Sequence, residues 1–260
     1  MIKIIKYCFF DLIRSKWNYV YFIFYLLLGF VLLFLNNDLS KAIITFMNII
    51  IILTPLIGTI FGVMYYYNSR EFIELLLAQP IKRSTIFIGQ FLGLSISLSL
   101  SFVLGLGLPF IFYGIFLSSE IFDFILLIVS GTFLTFIFVA IAFNIALINE
   151  NKIKGFGIAI VVWLLLAVVY DGLFLISLIV FNEYPIDKFS LFATILNPID
   201  LSRIMILLKL DISALLGYTG AVYQKYFGTF YGMLLSFFSL SIWTVLPVFN
   251  IVRISNKKDF

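Results

Sequence analysis

The chain has 260 residues, of which 63% are hydrophobic and 12% charged, with a formal net charge of +4 and a mean hydropathy of +1.17. A soluble domain carries about a quarter charged residues, so this chain cannot cover a globule against water and reads as an integral membrane protein. A single cysteine, Cys8, and the absence of histidine exclude an internal disulfide and argue against a soft-metal site built from this chain alone.

Residues 2–16 interleave Lys3, Lys6, Arg14 and Lys16 with Ile and Phe. They predict an amphipathic helix at the cytoplasmic interface, with a plain cytoplasmic extension of the first span as the alternative. No small-residue cleavage site follows a short apolar core, so the segment does not read as a removed signal peptide. The first span is expected at 17–35, ended by "NNDLSK", and the second at 42–67, where Pro55 and Gly58 can kink the helix without ending it. A charged segment, 68–84, follows. The third span, 85–117, would be about 50 Å long as one helix, so it must project, tilt or break near Pro109. The fourth is expected at 121–148. After "NENKIKG" comes a fifth at 156–181, then a polar-rich region, 182–227, and a last span at 228–252 before the tail "RISNKKDF". Runs such as "GIAIVVWLLLAVVY" do not alternate, which excludes a lipid-facing barrel and leaves helices to satisfy the backbone in lipid. The region 182–227 is too long for a structureless loop. It reads as a re-entrant or interfacial piece, an external docking surface, or both.

Six spans put both termini on one side. Twelve of the seventeen basic residues fall in the N-terminal segment, the 68–84 and 149–155 loops and the tail, so that side is cytoplasmic. No internal repeat is visible, which weakens a carrier built from inverted repeats. There is no Gly-x-x-x-x-Gly-Lys-[Ser/Thr] loop and no cluster of catalytic groups within a span. The chain therefore reads as a non-catalytic subunit with no cofactor of its own and no nucleic-acid partner. Asp171 lies in the outer part of the fifth span. It lines or gates a polar path, or sits among the outer head groups. Asn144 is placed to hydrogen-bond between helices.

The segment 68–84 predicts a short cytoplasmic helix. Ser69 is its candidate cap, Glu71 and Glu74 suit its N-terminal dipole, and Phe72, Ile73, Leu75 and Leu76 supply an apolar surface. Pro80 ends it, Lys82 and Arg83 follow, and Ser84 or Thr85 can cap the next helix. From spacing alone it is either a loop helix packed on its own bundle or a docking element for a soluble partner.

The stretch "REFIELLLAQPIKRSTIFIGQFLG" resembles the coupling region of type-2 ABC exporter permeases, with Gln90 where Lys is common. "LNPIDLSRIMILLKLDISALLGYTGAVYQKYFG" is similar to the NosY-like permeases of nitrous oxide reductase maturation. The resemblance implies an all-α type-2 ABC permease domain over 1–260 with six transmembrane helices, working as a homodimer in the bacterial inner membrane. It implies a cytoplasmic ABC ATPase (NosF-like) that carries the ATP and Mg²⁺, a periplasmic β-helical protein (NosD-like) and a copper chaperone (NosL-like). It makes Glu71, Phe72, Glu74, Leu75, Leu76 and Pro80, with Lys82 and Arg83, the ATPase-docking residues. Asn197, Pro198, Asp200, Arg203 and Asp211 would face the periplasmic partner. The function implied is coupling of ATP hydrolysis to assembly of the copper–sulfur centres of that reductase. The alternatives are a type-2 permease exporting a lipid, glycan or small hydrophobic compound, an ion-coupled carrier with a binding charge near mid-membrane, and a scaffold without transport.

Overall fold

The computed structural model describes residues 1–36, 38–181, 187–209, 224 and 226–258. Helix α1 is Ile2–Ile13, followed by the first two long helices, α2 (Lys16–Leu35) and α3 (Leu39–Asn68). A short helix, α4 (Arg70–Leu77), leads into α5 (Arg83–Phe112) and α6 (Ile121–Ile148). The fifth long helix is α7 (Lys152–Leu164), continuous through a π turn at Leu165–Val169 into α8 (Tyr170–Val180). A bent pair, α9 (Asp187–Leu196) and α10 (Pro198–Lys209), precedes α11 (Phe230–Lys257). The described residues contain six helices long and apolar enough to cross a membrane and no strand. The chain is all-α and multi-pass.

The spans form where the apolar runs were expected; the fourth keeps its bounds, 121–148, while the ends of the others move by up to five residues in either direction. The fifth begins at Lys152 because the Asn151 side chain accepts from the backbone N–H groups of Ile153 and Lys154, at 2.9 and 3.2 Å. That cap starts the helix inside the charged loop. The third does not break at Pro109. It runs to Phe112 and turns at Gly114, whose φ of +78° lies in the left-handed region. The Pro109 ring is seated against Gly29 of the first span, in space that a Cβ there would fill. Neither Ser84 nor Thr85 caps α5; Lys82 holds that position.

Helix α6 is the centre of the bundle, packed on α3, α5 and α11. With no hydrophobic drive between helices in lipid, close packing depends on small residues and interhelical hydrogen bonds. Both are present. A Cβ on Gly62 of α3 would come within 2.6 Å of Ala142 Cβ on α6. Asn144 of α6 donates from Nδ2 to the Pro247 carbonyl of α11 at 2.8 Å. Tyr25 and Thr54 share a 2.8 Å hydrogen bond between the first two spans. The N-terminal helix α1 is more than an interfacial float. Its buried Ile4 and Cys8 lie against Gly89 and Gly93 of α5, where a Cβ on Gly93 would come within 2.6 Å of Cys8 Cβ.

Candidate functional site

Two places in the bundle bring together charged and hydrogen-bonded polar side chains. The first is the bend between α9 and α10, which turns by 115°. A helix broken at membrane depth leaves backbone groups without partners, and lipid cannot supply them. Here the neighbouring spans do. Tyr170 donates its hydroxyl to the Ala193 carbonyl at 2.7 Å. Trp243 Nε1 of α11 donates to the Ile195 carbonyl at 3.1 Å. Asn197 sits at the corner. Its Oδ1 accepts from the Ile199 N–H at 3.1 Å, capping α10, and Pro198 opens that helix with its fixed φ. The Asn197 amide donates to the Leu166 carbonyl inside the π turn and to Asp200 Oδ2, both at 2.9 Å. Leu166 lies about 14 residues, or roughly 21 Å at 1.5 Å per residue, along a helix that starts at Lys152. The corner thus meets the fifth span near its middle.

Above the corner, Arg203 reaches from α10 to the fifth span. Its Nη1 donates to Asp171 Oδ2 at 2.8 Å and lies 3.5 Å from Asp200 Oδ1. Asp200 is 5% exposed, while the Asp171 and Arg203 side chains keep about a quarter of their surface (29% and 25%). Two carboxylates and one guanidinium leave a single excess negative charge in a half-buried setting. Asp171, Asn197, Asp200 and Arg203 therefore form one connected group, with Pro198 setting its backbone. Asp211 lies outside the described residues.

The second place is the opposite end of the bundle, around α4. Ser69 stands at its N-cap position without a side-chain hydrogen bond. The helix presents Arg70, Glu71, Glu74 and Leu75 outward, with Leu75 69% exposed and Arg70 Nε 3.2 Å from Glu74 Oε1. The rest of its apolar surface is used inside the protomer. Ile73 is buried, Leu76 packs on the cluster of Ile4, Cys8 and Ile86, and the Phe72 ring stacks on Tyr7 of α1 at 4.8 Å. Pro80 and Lys82 are exposed in the turn that follows. Arg83 donates to the Lys258 carbonyl at 2.6 Å, and Lys258 Nζ donates to the Leu147 carbonyl at 2.8 Å. Tyr66, Tyr67, Arg70, Glu74, Asn149 and Glu150 border a cleft of about 90 Å³ beside α4. The α4 segment, the 149–151 loop and the end of α11 thus form one contiguous surface.

Sequence reasoning placed the charged residues of both regions and missed their backbone partners. Tyr7, Tyr170, Trp243 and the Leu166 carbonyl carried no local signal, because each acts across more than 20 positions of chain. No group of three or more Cys, Asp or Glu side chains among the described residues could hold a metal ion.

Comparison with known proteins agrees with this architecture. The family model described as "ABC-2 family transporter protein" matches residues 36–253, which takes in α3 to α11 and both polar regions. The chain is also similar to a protein of Stutzerimonas stutzeri described as "Probable ABC transporter permease protein NosY", at 30% identity over 139 residues. The matched stretch covers 51% of this chain and 50% of that relative.

Proposed function

We propose a function on one premise: the chain belongs to the ABC-2 family of transporter proteins. It acts as the membrane subunit of an ATP-driven complex and lies in the bacterial inner membrane with both termini cytoplasmic. A separate cytoplasmic ATPase (NosF-like) seats on α4, and the chain works as a homodimer. The observation that carries this reading is the division of α4. One side is consumed in packing on α1 and α5, while Arg70, Glu71, Glu74 and Leu75 face out beside the 149–151 loop. Such a helix is rigidly tied to the spans and still offers a charged surface with one apolar residue at its centre, which suits transmission of a partner's motion.

At the other end, the polar bonds between the α9–α10 corner and the fifth span, around Asn197 and Arg203, are the part that responds: α10 itself is held by buried packing on α3, α6 and α11, while those bonds can exist in two arrangements. We assign the periplasmic β-helical partner (NosD-like) and the copper chaperone (NosL-like) to this side. The cargo process is assembly of the copper–sulfur centres of nitrous oxide reductase. The similarity to a protein described as NosY supports that finer reading. An ion-coupled carrier is disfavoured because Asp171, in the outer part of the fifth span, is already engaged by Arg203.

The test is removal of this chain from its host. The reading expects nitrous oxide reductase that is exported but lacks its copper–sulfur centres, as read by copper content and visible spectrum. Reductase with full copper would point to export of a lipid, glycan or other hydrophobic compound instead.

A further inference from the structure

The exposed side of α1 carries Lys3, Lys6 and Arg14 around a shallow basin that also includes Tyr7, Phe10 and one acid, Asp11. Lys16 follows at the start of α2. None of these four cations makes an ion pair among the described residues. Lys6 lies 6.0 Å over the Phe10 ring, a long cation–π contact that leaves its charge available. The stacking of Tyr7 on Phe72 fixes this basic side at the same end of the bundle as α4.

Three residues beyond Arg14 in the chain, the first two spans part. Trp17, Val20, Phe24, Leu53, Ile57 and Phe61 line a groove of about 320 Å³ with wholly apolar walls, with Tyr21 at its floor. Trp17 is the second residue of its span, and Phe24 lies about 10 Å further along at 1.5 Å per residue. The groove therefore runs from the interface into one leaflet only. Trp17, one position from Lys16 and three from Arg14, marks its mouth, where an indole is at home at head-group level.

We propose that this end of the protein holds one anionic phospholipid. Its head group sits at Arg14 and Lys16 beside the groove mouth, with Lys3 and Lys6 further along α1 adding to the local positive field, and one acyl chain lies in the groove between α2 and α3. The charge and the shape point to the same ligand. A zwitterionic lipid would fill the groove without using the unpaired cations, and an acidic soluble protein would use the cations and leave the groove to bulk lipid. Basic clusters on an interfacial helix select anionic lipid through several additive contacts.

The experiment is native mass spectrometry of the full chain in neutral detergent, titrated with phosphatidylglycerol or with phosphatidylcholine of the same acyl chains. The wild type should retain one phosphatidylglycerol per chain, at least about tenfold more tightly than phosphatidylcholine. The triple variant Lys3→Gln, Lys6→Gln, Arg14→Gln, altered only at exposed positions, should bring the two lipids to parity. Val20→Trp, which fills the groove, should weaken both lipids and leave the remaining preference in place. Equal retention of the two lipids by the wild type overturns the proposal, as does an undiminished phosphatidylglycerol preference in the triple variant.

Discussion

Arg203 on α10 and Asp171 on the fifth span meet at 2.8 Å, and both are only about a quarter exposed. The pair neutralises an acid that would be costly within a span and pins α10 where the helix is not continuous. Removing Asp171 loses the short bond and leaves Arg203 to Asp200 alone, whereas removing Arg203 leaves two carboxylates uncompensated. Asp171→Asn should lower stability by about 1–3 kcal/mol, below the usual figure for a fully buried pair because these side chains keep some solvent. Thermal unfolding in detergent measures this. The double exchange Asp171→Arg, Arg203→Asp should recover part of the loss; a double variant as weak as the sum of the singles would remove the pair from the explanation.

Asn197 serves three partners at once: the Leu166 carbonyl, Asp200 and the cap of α10. Asn197→Ala should cost about 1–2 kcal/mol. The loss should be local, with faster amide exchange in α9 and α10 than in α3 and α6. Uniform acceleration across the bundle would show that the α9–α10 pair is not a separate unit.

Cys8 is fully buried against Gly93, and burial pushes its thiol up from the ordinary value. Reaction needs the thiolate. A raised pKa keeps the thiolate scarce through the range where an exposed thiol ionises. Maleimide at pH 7–8 should therefore label Cys8 slowly in the folded protein and fully in denaturing detergent. Gly93→Leu, which drives a side chain into the space of Cys8, should displace α1 and raise the labelling rate at least about tenfold. Rapid labelling of the wild type would mean that α1 does not stay docked on α5.

Phe72 and Leu75 are three positions apart on α4 and should fail in different ways. The Phe72 ring stacks on Tyr7, so Phe72→Ala should destabilise the chain by itself, by about 0.5–1.5 kcal/mol beyond the lost burial. Leu75 points outward, so Leu75→Ser should leave thermal stability within about 0.5 kcal/mol and weaken ATPase binding. The pair of measurements separates packing from docking.

The spans were legible because length and hydropathy decide them. A run of about 20 apolar residues has no other stable state in lipid. Their ends were not, because caps such as Asn151 and turns such as Gly114 act through single side chains and backbone angles. Pro109 shows the same limit. A break there is one of three readings of the long third run, beside a tilt and a projection, yet the position of Pro109 three residues from the end of α5 and its seat against Gly29 let the helix continue. At the candidate site, Asp171, Asn197, Asp200 and Arg203 were visible as polar residues in an apolar chain. That they form one group was not, since Asp171 of the fifth span and the α9–α10 corner are more than 25 positions apart in sequence. From spacing alone the apolar side of α4 reads either as packing on its own bundle or as a docking ridge. The structure uses Ile73, Leu76 and the Phe72 ring inside the protomer, because α1 comes back to pack on them.

The central claim is that α4 carries the motion of a separate ATPase into the spans. The most direct measurement is the ATPase rate of the complex purified on this chain and reconstituted in nanodiscs, wild type beside Glu74→Arg. Glu74 is exposed and, among the described residues, paired with Arg70 on its own helix, so the substitution should spare the fold of the membrane subunit. A co-purified ATPase whose yield or membrane-subunit-dependent rate falls at least about fivefold in the variant is the predicted result. A wild-type chain that purifies alone and is indifferent to ATP would contradict it, as would an ATPase whose binding and rate are unchanged by Glu74→Arg.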